Sequence, residues 1–310
     1  MAEINIVVAL GPSEDSYFLG VGRRAVYNKV PQSLVDKLNG GELPVVRTSW
    51  INIDKTGRYW CGENFVGPNV MYEIQAGCTL QSHITQSGAQ FITFPDYDDA
   101  STDPWFFIKH KNLGHWNASL PHFYINTLNV IREHVTNFDN ALKWIIFGKG
   151  GTHIYQFENG FLANLEGPHE DPDHALNQAL RQFDPEHNTS IVQGQWMVDR
   201  GSSISLCDHR YFFLKFKNTH TKLYELRFSL PPHLDTKLKE LLALAKTPEE
   251  QQALTIETQN VMSQVNAHIS TQTSINNMLN NTMMQTGVSF NNATGGAQYE
   301  LVPKWARRFF

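Results

Sequence analysis

A pattern of apolar strand, short polar turn and aromatic-led strand recurs about five times along the chain. The first strands of the five units begin near Val7, Trp50, Phe91, Trp144 and Ser203, and the second begin near Tyr17, Tyr59, Trp105, His153 and Tyr211. Both strands of a unit carry apolar residues in successive positions, which is typical of strands that are buried on both faces. A period of roughly 40 to 60 residues indicates stacked or radial repeats rather than a doubly wound enzyme fold.

Short helices are predicted to close most units. Pro31 and Pro121 each precede residues spaced for one apolar helix face, and Pro231 and Pro232 do the same in the last unit. In the fourth unit, Asp171 is predicted to cap a helix that has Pro172 at its first position. The second unit diverges, and its segment 71–74 suits either a strand or a helix. The sequence therefore predicts strand pairs with interposed helices.

The chain changes character at Thr247. The sequence Thr247-Pro248-Glu249-Glu250 matches a capping box, and a long helix is predicted from there to about Met284. The domains expected are a β-rich repeat domain over 1–246 and a C-terminal helix and tail over 247–310. The apolar residues predicted to drive self-association or partner binding through this helix are Leu254, Val261, Val265, Ile275 and Leu279.

The strand pairs resemble, in spacing and aromatic placement over roughly residues 4–230, the blades of a small β-propeller. In that fold each blade is a short antiparallel sheet, and radial packing protects the strand edges. The resemblance implies a mainly β protein of about five blades with interposed helices, followed by the long C-terminal helix. The alternative is an α+β body in which an antiparallel sheet carries helices on one side.

Composition excludes several classes of partner. The 310 residues carry a formal net charge of −5, and no basic stripe stands out, so neither nucleic acid nor a membrane is an expected partner. No apolar run approaches the ~20 residues that span a bilayer. The three cysteines form no paired motif, and the expected location is the cytoplasm.

Catalytic and metal-binding motifs are weak throughout. The segment 168–174 concentrates His and carboxylate residues, but its spacing matches no known ligand set and Asp171 already serves as a helix cap. Residues 148–152 lack the spacing of a phosphate loop and read as a hairpin turn. The acidic loop with Asp96, Asp98, Asp99 and Asp103 lacks a calcium-loop pattern. No cofactor and no metal site are therefore predicted.

Aromatic and histidine side chains near strand ends are the remaining candidates for a ligand site. They are Trp60, Trp105, Trp116, His110 and His115. Indole faces stack on sugars or anchor partner proteins, and imidazole can act as a base or a ligand. A tryptophan at a strand start is nevertheless more often part of the core.

Three functions remain open on this sequence. The leading hypothesis is a non-enzymatic interaction or scaffold protein that associates with itself or with a protein partner through the C-terminal helix. The second is a lectin-like protein that binds a glycan or another small molecule at aromatic sites. The third is a hydrolase, lyase or isomerase with its site at the mouth of the repeats.

Overall fold

The computed structural model describes residues 4–65, 70–97, 103–111, 114–135, 137–158, 160–183 and 196–253. Within them the chain forms five small antiparallel sheets with helices between them. This arrangement fits a mainly β or an α+β class. The repeat predicted from the apolar pattern corresponds to one sheet and the helix that follows it.

Each of the first four sheets is a meander of three consecutive strands. They are β1 (Ile6–Leu10), β2 (Tyr17–Val21) and β3 (Arg24–Asn28); β4 (Thr48–Ile53), β5 (Trp60–Asn64) and β6 (Val70–Glu73); β7 (Ala89–Thr93), β8 (Phe106–His110) and β9 (Trp116–Ser119); and β10 (Leu142–Phe147), β11 (His153–Phe157) and β12 (Gly160–Asn164). The first two strands of each sheet are the more buried, and the third is half-exposed in most sheets.

The fifth sheet follows the same plan with an interrupted first strand. Its strands are β13 (Trp196–Val198), β14 (Ser203–Ile204), β15 (Phe212–Asn218) and β16 (Tyr224–Ser229). Both β13 and β14 pair with β15, at opposite ends of it, and β16 pairs along its other edge. Together β13 and β14 therefore occupy the position that one strand fills in the other sheets.

Helices pack between successive sheets. They are α1 (Gln32–Asn39), α2 (Thr79–Ser87), α3 (His122–His134), α4 (Phe138–Ala141), α5 (Ala175–Arg181) and α6 (Pro232–Leu244). Leu34 of α1 belongs to the same apolar cluster as Phe18 of the first sheet and Trp60 of the second. Leu238 of α6 shares a cluster with Phe213 of the fifth sheet and Leu19 of the first. Each such helix thus contributes apolar side chains to the space between two sheets.

The first strands of the sheets are neighbours of one another. Strand β1 lies against β4, β4 against β7, β7 against β10, β10 against β14, and β14 against β1. Side chains form hydrogen bonds between several of these neighbouring sheets. The Trp50 indole donates to the Gln90 carbonyl at 3.2 Å, and Trp144 donates to the Val198 carbonyl at 3.1 Å. These tryptophans hold neighbouring sheets together while they pack in the core.

Two local predictions need correction. Helix α5 begins at Ala175, and its cap is His174, whose Nδ1 accepts the Leu176 N–H at 3.2 Å. Asp171 is not the cap, because its carboxylate accepts the N–H of Asp173 in a turn that precedes the helix. Segment 71–74 proves to be mostly strand, and α2 follows it, capped by the sulfur of Cys78 rather than by a residue that usually caps helices.

The chain beyond α6 is described only as far as residue 253. Residues 248–253 are helical, and Thr247 accepts the N–H of Glu250 at 3.3 Å, as a capping residue does. The predicted continuation to Met284 lies outside the described residues. Within the described part of the chain, no helix has both the length and the apolar character needed to cross a membrane.

Candidate ligand-binding cleft

A small surface cleft lies between the second and third sheets, where the turn after β4 faces the connection from β7 to β8. Its volume is about 30 Å³. The residues lining it are Asp54, Thr56, Arg58, Tyr59, Phe94, Pro95, Tyr97, Asp103, Pro104 and Trp105. Three of them are tyrosine or tryptophan, and three are charged.

The β4–β5 turn is built around the carboxylate of Asp54. One oxygen of Asp54 accepts the Tyr59 N–H at 2.8 Å, and the other accepts the Thr56 N–H at 3.2 Å. Gly57 has a φ of 71°, a left-handed backbone conformation that residues with a side chain rarely adopt. The turn fixes Tyr59 as a half-buried wall of the cleft and leaves Arg58 exposed, with its guanidinium 5.6 Å from the Tyr59 ring centre. Asp54 is thus a structural carboxylate.

The opposite wall consists of Tyr97 and Trp105. Their rings are perpendicular, with centroids 5.4 Å apart, and the Tyr97 side chain is 40% exposed. The indole nitrogen of Trp105 is buried, and no described residue accepts its proton. Unpaired buried donors cost about 1–3 kcal/mol, so an acceptor that reached this nitrogen would gain a hydrogen bond.

Asp103 places a second carboxylate at the cleft. It accepts from the Thr79 hydroxyl at 2.7 Å and from the Thr79 N–H at 3.4 Å, at the start of α2. Through Thr79, helix α2 therefore holds Asp103 in place beside the cleft. The cleft combines flat apolar ring faces with fixed charged groups, and its described lining residues include no His or Cys.

Of the three tryptophans predicted from sequence, only Trp105 lines the cleft. Trp60 is fully buried, and its indole donates to the Ser33 hydroxyl at 2.8 Å. Trp116 is half-buried and stacks on Phe107, with ring centroids 5.7 Å apart. Both rings therefore pack with the core of their sheets.

His110 and His115 lie together, but away from the cleft. Their ring centroids are 5.0 Å apart at the β8–β9 turn, whereas Trp105 precedes β8 at its other end, about 17 Å along the strand. His110 is buried, with Nε2 2.7 Å from the Asn117 amide oxygen and Nδ1 3.3 Å from the Gly88 carbonyl. Its two nitrogens are thus engaged, while His115 is exposed.

The residues predicted for oligomerisation lie outside the described residues. They are Leu254, Val261, Val265, Ile275 and Leu279. Their role stays a prediction.

The histidines of segment 168–174 serve structural roles. His169 is buried, and its two nitrogens contact the Thr152 hydroxyl at 2.7 Å and the His209 carbonyl at 2.9 Å. Burial lowers the pKa of His169 to about 4, so the ring is neutral near pH 7. In the described ranges, no three His, Cys, Asp or Glu side chains are placed to hold a metal ion.

Carboxylates near the ends of the first strands are held in ion pairs. Asp96 lies 2.7 Å from Lys55 and accepts the Gly150 N–H at 2.8 Å, which joins three successive sheets. Arg210 bonds to Asp208 and lowers the pKa of that carboxyl to about 2. A general acid needs a pKa near the working pH, so Asp208 is unsuited to that role. Asp98 and Asp99 lie outside the described residues.

A second cavity lies among the first strands themselves. It has a volume of about 20 Å³ and receives residues from all five sheets, including Leu10, Asn52, Thr93, Phe147 and Ser203. This is room for about one or two water molecules. Among the described residues that line it there is no His, Asp, Glu, Lys or Arg, so these residues offer no acid–base pair.

Sequence reasoning found Trp105 but missed Tyr59, Tyr97 and Arg58 as site residues. Their positions could have indicated the site, because Tyr59 lies in the connection after β4 and Tyr97 lies in the connection after β7. Comparison with protein-family models, with curated proteins and with solved structures found no match. Function therefore has to be inferred from the geometry of the site.

Proposed function

We propose that the protein is a non-catalytic binding module whose cleft between the second and third sheets binds a sugar ring. The observation that carries the proposal is the pairing of Trp105 with Tyr97 at 5.4 Å, with the Trp105 N–H buried and without an acceptor among the described residues. The apolar C–H face of a sugar would pack on the exposed Tyr97 ring, and a sugar hydroxyl would accept the Trp105 proton after a small side-chain shift uncovers that nitrogen.

The charged groups of the cleft suit a polar, hydroxyl-rich ligand. The guanidinium of Arg58 and the carboxylate of Asp103 lie on opposite walls, and hydroxyl groups can both accept from the first and donate to the second. With a volume of about 30 Å³ the cleft cannot enclose a sugar ring, so a ligand would rest one ring face on the aromatic wall and leave the rest exposed. The lectin-like alternative from the sequence thus has more structural support than the enzyme alternative.

We also infer that the five sheets close into a β-propeller of five blades. The neighbour relations of the first strands return from β14 to β1. Polar contacts support the last junction, because the Leu10 N–H donates to the Ser203 hydroxyl at 3.1 Å and Arg210 lies 3.0 Å from Glu14. In a propeller, loops at one end of the blades surround a shared face, and the cleft would lie on that face.

A glycan array tests the proposed function. The full chain should bind a limited set of glycans, and Trp105→Ala should weaken that binding by about 2 kcal/mol or more, roughly 30-fold, since buried aromatic anchors dominate binding energy. Tyr97→Ala should weaken binding to the same glycans. The affinities can be measured by calorimetric titration of the best ligand.

Phe65→Ala is the matched control. Phe65 is 43% exposed, close to the exposure of Tyr97, but it follows β5 at the end opposite Tyr59. Binding should survive in this variant. A blank array, or glycan binding that Trp105→Ala leaves intact while the variant remains folded, rules the proposed site out.

The scaffold hypothesis stays a separate proposal from the sequence. If the C-terminal segment is an assembly device, Val261→Asp with Val265→Asp should convert an oligomer into a monomer, because each buried valine stabilises an interface by roughly 1.5–3 kcal/mol at most. Light scattering of the full chain and the double variant measures this. An unchanged mass would contradict self-association through this stripe. Cytoplasmic location likewise stays a prediction.

A further inference from the structure

Three buried polar side chains meet between α3 and β11, in a part of the molecule that the proposed cleft does not use. They are Tyr124 in the first turn of α3, and His153 and Tyr155, which alternate along β11 and so point to the same face. All three are fully buried. The His153 ring centre lies 5.2 Å from that of Tyr124 and 4.6 Å from that of Tyr155.

The hydrogen-bonding state of His153 follows from one contact. Its Nδ1 lies 2.6 Å from the Gly151 carbonyl oxygen, and a carbonyl can only accept, so Nδ1 carries the proton. Burial lowers the pKa of His153 to about 4, so the ring is neutral near pH 7. Nε2 is therefore a buried acceptor, and no described residue donates to it.

The two phenols are complementary to this acceptor. Burial is the main cause that raises the pKa of Tyr124 and of Tyr155, so both keep their protons. The Tyr155 hydroxyl has no hydrogen-bond partner among the described residues. The Tyr124 oxygen lies near the backbone N–H of Asp96, which can only donate, so no described residue accepts the Tyr124 proton. Two O–H groups and one lone-pair nitrogen thus share one apolar region, yet none reaches another directly, and each group left unpaired costs about 1–3 kcal/mol.

We propose that this cluster is an internal binding site for a single structural water molecule. Water can donate a proton to His153 Nε2 and accept from the phenols of Tyr124 and Tyr155, so one molecule matches both kinds of group. A metal ion suits the site poorly, because the phenols hold their protons. Apolar rings border the cluster. The ring centre of Phe147 lies 4.9 Å from that of Tyr124, and the ring centre of Phe157 lies 6.4 Å from that of Tyr155. The water would tie α3 to the fourth sheet.

Tyr155→Phe tests the proposal by the sign of its effect. If water bridges the cluster, removing the hydroxyl breaks a hydrogen bond and leaves the water under-coordinated, so the melting temperature should fall by a few degrees. If the hydroxyl is unpaired, the same change removes a buried polar group at no loss and the melting temperature should rise. Tyr97→Phe, at an exposed tyrosine, should leave it unchanged.

A crystal structure of the full chain at high resolution supplies the second measurement. The expected result is solvent density within hydrogen-bond distance of His153 Nε2 and at least one of the two phenolic oxygens. Density that is absent from this site overturns the proposal, whatever the variant does. A rise in melting temperature for both Tyr124→Phe and Tyr155→Phe overturns it as well.

Discussion

Replacing Leu238 by Ala should destabilise the protein by about 2–5 kcal/mol. Leu238 is fully buried in α6 and packs in a cluster that contains side chains of both the first and the fifth sheet. The substitution removes apolar contacts on both sides and leaves a cavity that flanking strands cannot easily fill. Since domains are stable by only about 5–15 kcal/mol, such a loss is a large fraction of the total. Chemical denaturation of the full chain measures it.

Leu244→Ala is the matched control in the same helix. Leu244 is 45% exposed at the last position of α6, so its truncation should change the free energy of unfolding by no more than about 0.5 kcal/mol. Equal effects of the two substitutions would contradict the position of α6 between the fifth and first sheets. That outcome would also weaken the proposed closure into a ring.

Acid should destabilise the fold between pH 6.5 and about 4. Burial lowers the pKa of both His153 and His169 from 6.5 to about 4 in the folded protein. Within that window the unfolded chain binds protons that the folded chain does not, so the free energy of unfolding falls as the pH falls. The fall begins near pH 6.5, the unfolded value, and levels off below about pH 4. A shift of this size corresponds to about 3 kcal/mol per histidine.

The slope of stability against pH is the quantity to measure. His169→Gln should flatten the decline between pH 6.5 and 4, even if it also lowers stability at neutral pH by breaking contacts with Thr152 and His209. Denaturation of the original protein and of His169→Gln at each pH gives the two slopes. Stability that stays constant from pH 7 to 4.5 would contradict neutral, buried histidines at these two positions.

Sequence patterns predicted inner strands where apolar residues predominate, as in Ile6–Leu10 and Leu142–Phe147. The outer strand Trp116–Ser119 of the third sheet gives a weaker signal, since it is short and half-exposed and holds only two apolar residues. Helix α2 was missed for a similar reason. Its burial depends on Leu80 and Ile84 alone, and a cysteine caps it. Where the local sequence pattern is this weak, packing against neighbouring sheets determines the secondary structure.

The candidate cleft was only partly predictable because its walls come from two different units. Trp105 stood out as an aromatic residue at a strand start. Its pairing with Tyr97, and the arrival of Tyr59 and Arg58 from the preceding sheet, depend on how the second and third sheets pack. No periodicity along the chain encodes that contact. Trp60 follows the same local pattern as Trp105 and yet is fully buried beneath α1.

The most direct test of sugar binding in the cleft is an NMR titration that follows the indole N–H signals of the tryptophans as ligand is added. The chain has seven tryptophans, and the signal that disappears in Trp105→Phe identifies Trp105. On addition of a glycan selected by the array, this signal should shift more than those of the other tryptophans, because a sugar oxygen accepts its unpaired proton. A ligand that binds while the Trp105 signal stays in place would contradict the proposed site.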